Sequence, residues 1–247
     1  MAYMHGHFVW FELVNPTIDK ATAFYSEVVG WSVQTMNMGA MDYTMLAIGE
    51  AMQCGVTNPQ MEGVPAQWTS YLSVDDVDAK AAAVVAAGGS ILVPAMDIPN
   101  IGRFCLVADP EGATFNLFKG ATDDDKPPAG FHWMELWSRD AAKAVGFYQS
   151  VFGFGVETME MPTGTYFMLK AGEAMIGGVM NSMTEKAPPM WLPYLQADDC
   201  DAATARATAM GAQVHLPPHE VPGIGKFSIV GDNSGAAVGL IKPAARG

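Results

Sequence analysis

Two Trp-x-Glu triplets, Trp10-Phe11-Glu12 and Trp133-Met134-Glu135, hold the side chains in this chain best suited to chemistry. Each lies in an apolar stretch that reads as a β-strand, and residues two apart on a strand share a face. A carboxylate set in an apolar wall is pushed toward its protonated form, so Glu12 and Glu135 are candidate general acids or bases. The pairs also admit a structural reading, with the indole as core and the carboxylate accepting hydrogen bonds from a neighbouring turn. Tyr43 and Tyr166 would bring hydroxyls toward the same wall, with Tyr71 and Tyr194 as neighbours. The histidines are His5, His7, His132, His215 and His219. His5 and His7 share a strand face, and with Glu12 or Glu135 they could form a two-His, one-carboxylate iron site; the alternative is ordinary surface histidines. No acylating triad, phosphate loop or dinucleotide fingerprint is present.

The elements that must position these residues occur twice. Residues 7–119 and 130–242 superimpose at a constant offset of 123 residues without a gap. Trp10-Phe11-Glu12-Leu13 falls on Trp133-Met134-Glu135-Leu136, Phe24-Tyr25 on Phe147-Tyr148, and Gly49-Glu50-Ala51-Met52 on Gly172-Glu173-Ala174-Met175. A period this long is a duplicated domain rather than a solenoid. The spacing predicts a strand over His7–Val14, then a helix capped by Asn15 with Pro16 in its first turn and closed by Gly30. The second half repeats this with a strand over Phe131–Trp137, Ser138 as the cap and Gly153 as the stop. Three short strands follow, then a further strand over Gln67–Val74, a helix over Val77–Ala87 capped by Asp75 or Asp76, and three more strands. The chain thus holds four strand-helix-strand-strand-strand units, an α+β arrangement. The predicted domains are 1–119 and 130–247, each with its own core, joined by an acidic, Pro-rich linker over 120–129.

The formal net charge of −13 opposes nucleic-acid partners, and no Lys/Arg cluster offsets it. No apolar run is long enough to span a membrane and no signal peptide is evident, so a cytoplasmic location is expected. The three cysteines, Cys54, Cys105 and Cys200, are unmatched between halves and read as packing residues. Methionines are matched instead: Met36 and Met38 with Met159 and Met161, Met45 and Met52 with Met168 and Met175. They fill core or line a ligand site.

On these motifs the chain resembles the vicinal oxygen chelate superfamily, which includes glyoxalase I, extradiol dioxygenases, methylmalonyl-CoA epimerase and the fosfomycin and bleomycin resistance proteins. The marks are Ala21…Phe24-Tyr25…Gly30-Trp31, its repeat Ala144…Phe147-Tyr148…Gly153-Phe154, and the Asp109-Pro110-Glu111-Gly112 turn before a last strand. More narrowly, it is similar to tandem bacterial proteins called glyoxalase-related or hydroxylase-like. The resemblance implies two tandem glyoxalase-like domains, each of two βαβββ units whose mixed sheets curl around a cleft. It also implies metal-ligand positions on the first and last strands of each unit. These fall on Trp10, near Cys54, near Thr69 and on Asn116 in the first half, and on Trp133, near Gly177, near Leu192 and on Gly239 in the second. Such side chains are poor ligands, so no cofactor is expected unless a divalent metal site has relocated.

The function expected is therefore a small-molecule binding protein with a degenerate metal site. It would take a largely apolar or aromatic ligand against Trp10 or Trp133, with Glu12 or Glu135 as polar anchor. The alternative is a metal-dependent or Glu-based lyase, isomerase or dioxygenase. Four units in one chain complete two clefts, so a monomer or a homodimer would serve. Gly177, Gly239 and Leu192 predict a roomier, more apolar second cleft.

Overall fold

The computed structural model describes residues 5–37, 42–60, 62–122, 126–162, 164–184 and 187–245; Met38 and the linker residues Asp123, Asp124 and Asp125 lie outside them. The first half begins with β1 (Phe8–Val14), α1 (Ile18–Val29), β2 (Ser32–Asn37), β3 (Asp42–Ile48) and β4 (Ala51–Thr57). It continues with β5 (Gln67–Ser73), α2 (Val77–Ala86), β6 (Ser90–Ile98), β7 (Gly102–Ala108) and β8 (Thr114–Gly120). The second half repeats the pattern with β9 (Phe131–Ser138), α3 (Ala141–Phe152), β10 (Gly155–Met161), β11 (Gly164–Ala171) and β12 (Ala174–Asn181). Its last unit is β13 (Met190–Gln196), α4 (Cys200–Ala209), β14 (Gln213–Val221), β15 (Gly225–Gly231) and β16 (Ala237–Pro243). Four βαβββ units are present, as the sequence predicts.

Each half contributes one mixed eight-stranded sheet, ordered β2-β3-β4-β1-β5-β8-β7-β6 and β10-β11-β12-β9-β13-β16-β15-β14. Within a unit the three later strands form an antiparallel meander that returns parallel to the first: β1 pairs with β4 and β9 with β12. The parallel return needs a crossover, and the helix supplies it.

Two helix starts differ from the sequence expectation. Asn15 does not cap α1; its Oδ1 accepts the Thr17 N–H at 2.9 Å in a local turn, and the helix begins at Ile18. Ser138 likewise precedes the true cap of α3, Asp140, whose side chain accepts from the Lys143 N–H. In both cases two further residues are needed to turn the chain before the helix starts. Asp76 and Asp199 cap α2 and α4 by accepting from Ala79 and Ala202. Gly30 and Gly153 close α1 and α3 with φ of 75° and 71°, in the left-handed region where a side chain is strained.

The compact units do not coincide with the two repeats. One consists of 1–10, 69–127 and 133–191, the other of 11–68, 128–132 and 192–247. Each compact unit therefore draws segments from both repeats. In the first unit, Tyr148 of the second half donates to Asp109 of the first at 3.1 Å and accepts the Trp191 indole N–H at 2.9 Å, all three being buried. In the second unit, Tyr25 donates to Asp232 at 3.0 Å and accepts the Trp68 N–H at 3.0 Å. Asp109 and Asp232 each also accept two backbone N–H groups of their own turn. Burial raises the Asp109 carboxyl above its usual range and the Tyr25 and Tyr148 phenols well above theirs.

Candidate functional site

Glu135 sits near the middle of β9 and is 7% exposed. Its Oε1 accepts the Trp137 indole N–H at 2.8 Å, and its Oε2 accepts the Tyr166 hydroxyl at 2.9 Å. Tyr166 in turn accepts the Trp133 indole N–H at 2.9 Å. Proton directions follow from the chemistry of the groups. An indole N–H only donates, so the Tyr166 oxygen is the acceptor toward Trp133 and its own proton points at Glu135. Both carboxylate oxygens therefore act as acceptors, which suits the ionised acid. The Tyr166 phenol is raised above its ordinary pKa, first by burial and then by the charge of Glu135.

The backbone makes room for this network. Gly178 on β12 lies beside Glu135 in register, and a Cβ there would fall 1.8 Å from the Tyr166 hydroxyl oxygen. Cross-strand register places Met159 beside Tyr166, Met168 beside Gly178, and Met180 beside Trp137. One sheet face thus carries Trp133, Glu135, Trp137, Tyr166, Met159, Met168 and Met180. Trp137 is buried, Trp133, Tyr166, Met168 and Met180 are half-buried, and Met159 is exposed.

The first half builds a related pair. The Tyr43 hydroxyl donates to Glu12 Oε1 at 3.1 Å, and Gly55 beside Glu12 leaves the space, a Cβ there falling 1.8 Å from the Tyr43 oxygen. Trp10, Met36 and Met45 match Trp133, Met159 and Met168, but Val14 replaces Trp137 and Thr57 replaces Met180. The Val14 side chain carries no N–H, so the first half has no counterpart of the Trp137–Glu135 bond.

The structure corrects the expected positions of two residues. Gly55 and Gly178, not Cys54 and Gly177, share the face with Glu12 and Glu135; Cys54 is fully buried and its thiol is pushed up by desolvation. Gly239 does not open space: Tyr194 lies over it, and a Cβ there would fall 2.2 Å from the ring. Tyr194 and Leu192 are buried, and Tyr194 meets Phe227 edge-on at 5.7 Å. In the first half Asn116 occupies the place of Gly239, donating to Thr69 at 2.9 Å, with Tyr71 beside it against Phe118 and Phe104.

The donor set at the superfamily's ligand positions does not fit a metal. Trp, Gly and Leu offer no ligating atom, and Thr69 and Asn116 bond to each other. Among the described residues, no group of three His, Cys, Asp or Glu side chains could hold a metal ion. His7 is half-buried and its pKa is lowered by desolvation; His215 and His219 are exposed.

The sequence matches the profile of the Glyoxalase/Bleomycin resistance protein/Dioxygenase superfamily twice, over residues 7–117 and 130–240. It is 35% identical over 253 residues to a candidate glyoxylase, CFP32, of Mycobacterium tuberculosis, covering 98% of this chain and 97% of that protein. It is 27% identical to the anthracycline biosynthesis protein DnrV of Streptomyces peucetius, over 96% of this chain and 95% of the relative. Among solved structures, the Mn(II)-bound glyoxalase of Novosphingobium aromaticivorans superimposes with a TM-score of 0.66 at 18% identity, over 98% of this chain and 84% of that one. The 2,2',3-trihydroxybiphenyl 1,2-dioxygenase of Sphingomonas wittichii does so with a TM-score of 0.65 at 17% identity, over 97% and 90%. No helix among the described residues is long and apolar enough to cross a membrane.

Proposed function

The chain belongs to the Glyoxalase/Bleomycin resistance protein/Dioxygenase superfamily, and from that premise we propose that it binds a small aromatic molecule on the β9–β12 face without the superfamily's metal. The observation that carries this reading is the continuous Trp133–Tyr166–Glu135–Trp137 network, set among methionines. The network fixes the planes of the two indoles and the phenol before any ligand arrives, so little freedom is left to lose on binding. Thioethers beside them are adaptable and make favourable contacts with aromatic rings. In this reading Glu135 is a positioning residue rather than a general acid, because both of its oxygens accept hydrogen bonds from protein donors. The names of DnrV and of the biphenyl dioxygenase, both tied to aromatic compounds, point the same way.

The test is titration with hydroxylated biphenyls, followed by tryptophan fluorescence in metal-free buffer. Saturable quenching should weaken about tenfold in Trp133→Leu, the order of one aromatic contact. Trp10→Leu should change it little. Absence of saturable binding across the series, or equal effects of the two variants, defeats the reading.

A second reading, enzymatic turnover, is favoured by the glyoxylase name and by the metalloenzyme folds of the neighbours. It predicts about one equivalent of tightly held transition metal per chain by elemental analysis, or turnover lost on changing Glu12 or Glu135.

A further inference from the structure

We propose that the chain pairs with a second copy of itself through the outer edge of β2, antiparallel across a two-fold axis at Gln34. The inference does not depend on the aromatic-binding reading. Each sheet ends in two edge strands, β2 and β6 in the first half and β10 and β14 in the second. An edge strand presents a row of backbone donors and acceptors to any other strand, and charge, proline or a bulge blunts it. Three of the four edges are blunted in these ways. β6 carries Pro94 and two breaks in its register with β7. β14 carries Pro217 and Pro218 and also breaks register twice. β10 carries Glu157 and Glu160.

β2 has none of these guards. Its six residues, Ser32-Val33-Gln34-Thr35-Met36-Asn37, include no charge and no proline, and all are exposed. Its register with β3 runs from Ser32–Ala47 to Asn37–Asp42 without a shift. At the same offset of 123 residues, Gln34 and Asn37 stand where β10 has Glu157 and Glu160. Apolar surface gathers at the same edge. Val33 and Ile48 lie diagonally across the β2–β3 pair, on one face, and each is 46% exposed. Their counterparts Val156 and Ala171 are half-buried and buried.

These side chains fit a second copy. A two-fold axis perpendicular to the sheet keeps every side chain on its own face, so residues an even number of positions apart must meet. With the axis at Gln34, the two Gln34 amides face each other, each able to donate and to accept. Val33 then opposes Thr35 of the second copy and Ser32 opposes its Met36, and each pair occurs on both sides of the axis. The β-branched pair extends the exposed apolar strip that Val33 and Ile48 begin. No charge meets a like charge at the seam, although each copy carries −13 overall. The same pairing of β10 would set Glu157 against Glu157, which is destabilising. The seam is one strand long, so the dimer is of the weak, reversible class.

Sedimentation velocity of the full chain at neutral pH, from about 1 to about 200 μM protein in about 0.15 M salt, follows the association. The expected result is a monomer at the low end and a dimer at the high end. Gln34→Glu installs the guard that β10 carries and should weaken the dimer by about tenfold or more, and Val33→Asp should do the same. Leu92→Asp, an exposed residue of the β6 edge, should leave the dimer within about twofold of its original strength. Circular dichroism checks that each variant folds, and if one of the two β2 variants does not, the other decides. Raising salt to about 0.5 M screens the repulsion between like-charged copies and should tighten the dimer. A chain that stays monomeric at the high end, whether or not a foreign extended peptide binds β2, overturns the proposal. So does a dimer that survives the β2 variants, one that Leu92→Asp abolishes, or one that salt dissociates.

Discussion

Substituting Gly178 with Ala tests whether the Tyr166–Glu135 network is as tightly built as its distances imply. Gly178 lies in a strand without positive φ, so the change by itself should help: glycine inside a strand is worth roughly 0.5–1 kcal/mol less than alanine. The added Cβ, however, would fall 1.8 Å from the Tyr166 oxygen and 2.3 Å from its ring carbon Cζ. The ring must move, and two hydrogen bonds go with it, one of them to a carboxylate. Roughly 0.5–1.5 kcal/mol for the neutral bond and about 1.5–3 for the charged one give a loss of about 2–4.5 kcal/mol. Against the propensity gain of roughly 0.5–1 kcal/mol, the net destabilisation is roughly 1–4 kcal/mol. In a chain of this length that lowers the melting temperature by about 2–16 °C. Denaturant unfolding measures the free energy, and near-UV circular dichroism reports the freed indoles. In a Tyr166→Ser background the same Ala should be neutral or stabilising, because the ring it strikes is gone. A single variant as stable as the parent with an unchanged near-UV spectrum refutes the reasoning, as would an unrelieved loss in the double variant.

Tyr148→Phe should cost about 2–4 kcal/mol in denaturant unfolding, because it strands the buried Trp191 N–H and removes a donor from Asp109. His7 predicts a pH dependence of the opposite sign from a salt-bridged histidine. Its folded pKa lies below 6.5 through burial, so the unfolded chain takes up the proton first and stability falls as pH drops from about 6.5 toward the folded value. His7→Gln should flatten the unfolding free energy across that window, and an unchanged slope counts against the assignment.

The elements were legible in the sequence because the repeat supplied each signal twice. Phe24-Tyr25 and Phe147-Tyr148 marked the buried helix faces, and Gly30 and Gly153 marked the helix ends. Asn15 and Ser138 misled because residues suited to capping also make local turns two residues before the helix cap. Trp10, Glu12, Trp133 and Glu135 were recoverable from strand alternation, and continuing the same alternation two residues past Glu135 would have found Trp137. What Gly239 does could not be read from its own position. A missing side chain looks like space until the neighbouring Tyr194 is seen lying across it. The pairing of cores was equally hidden, since Tyr25 and Asp232 are linked only through the folded unit.

That crossed pairing bears on how the protein is made. The unit containing 11–68 also includes 192–247, so its first segment leaves the ribosome well before its last one exists. At about 5–20 residues per second, synthesis of the intervening stretch takes roughly 6–25 s. During that interval Tyr25 lacks its buried partner Asp232, and the edge strands are open to foreign pairing. Such a chain has reason to depend on a chaperone holding its first half, and synonymous codons that slow residues 69–191 would lower the soluble yield without altering a single side chain.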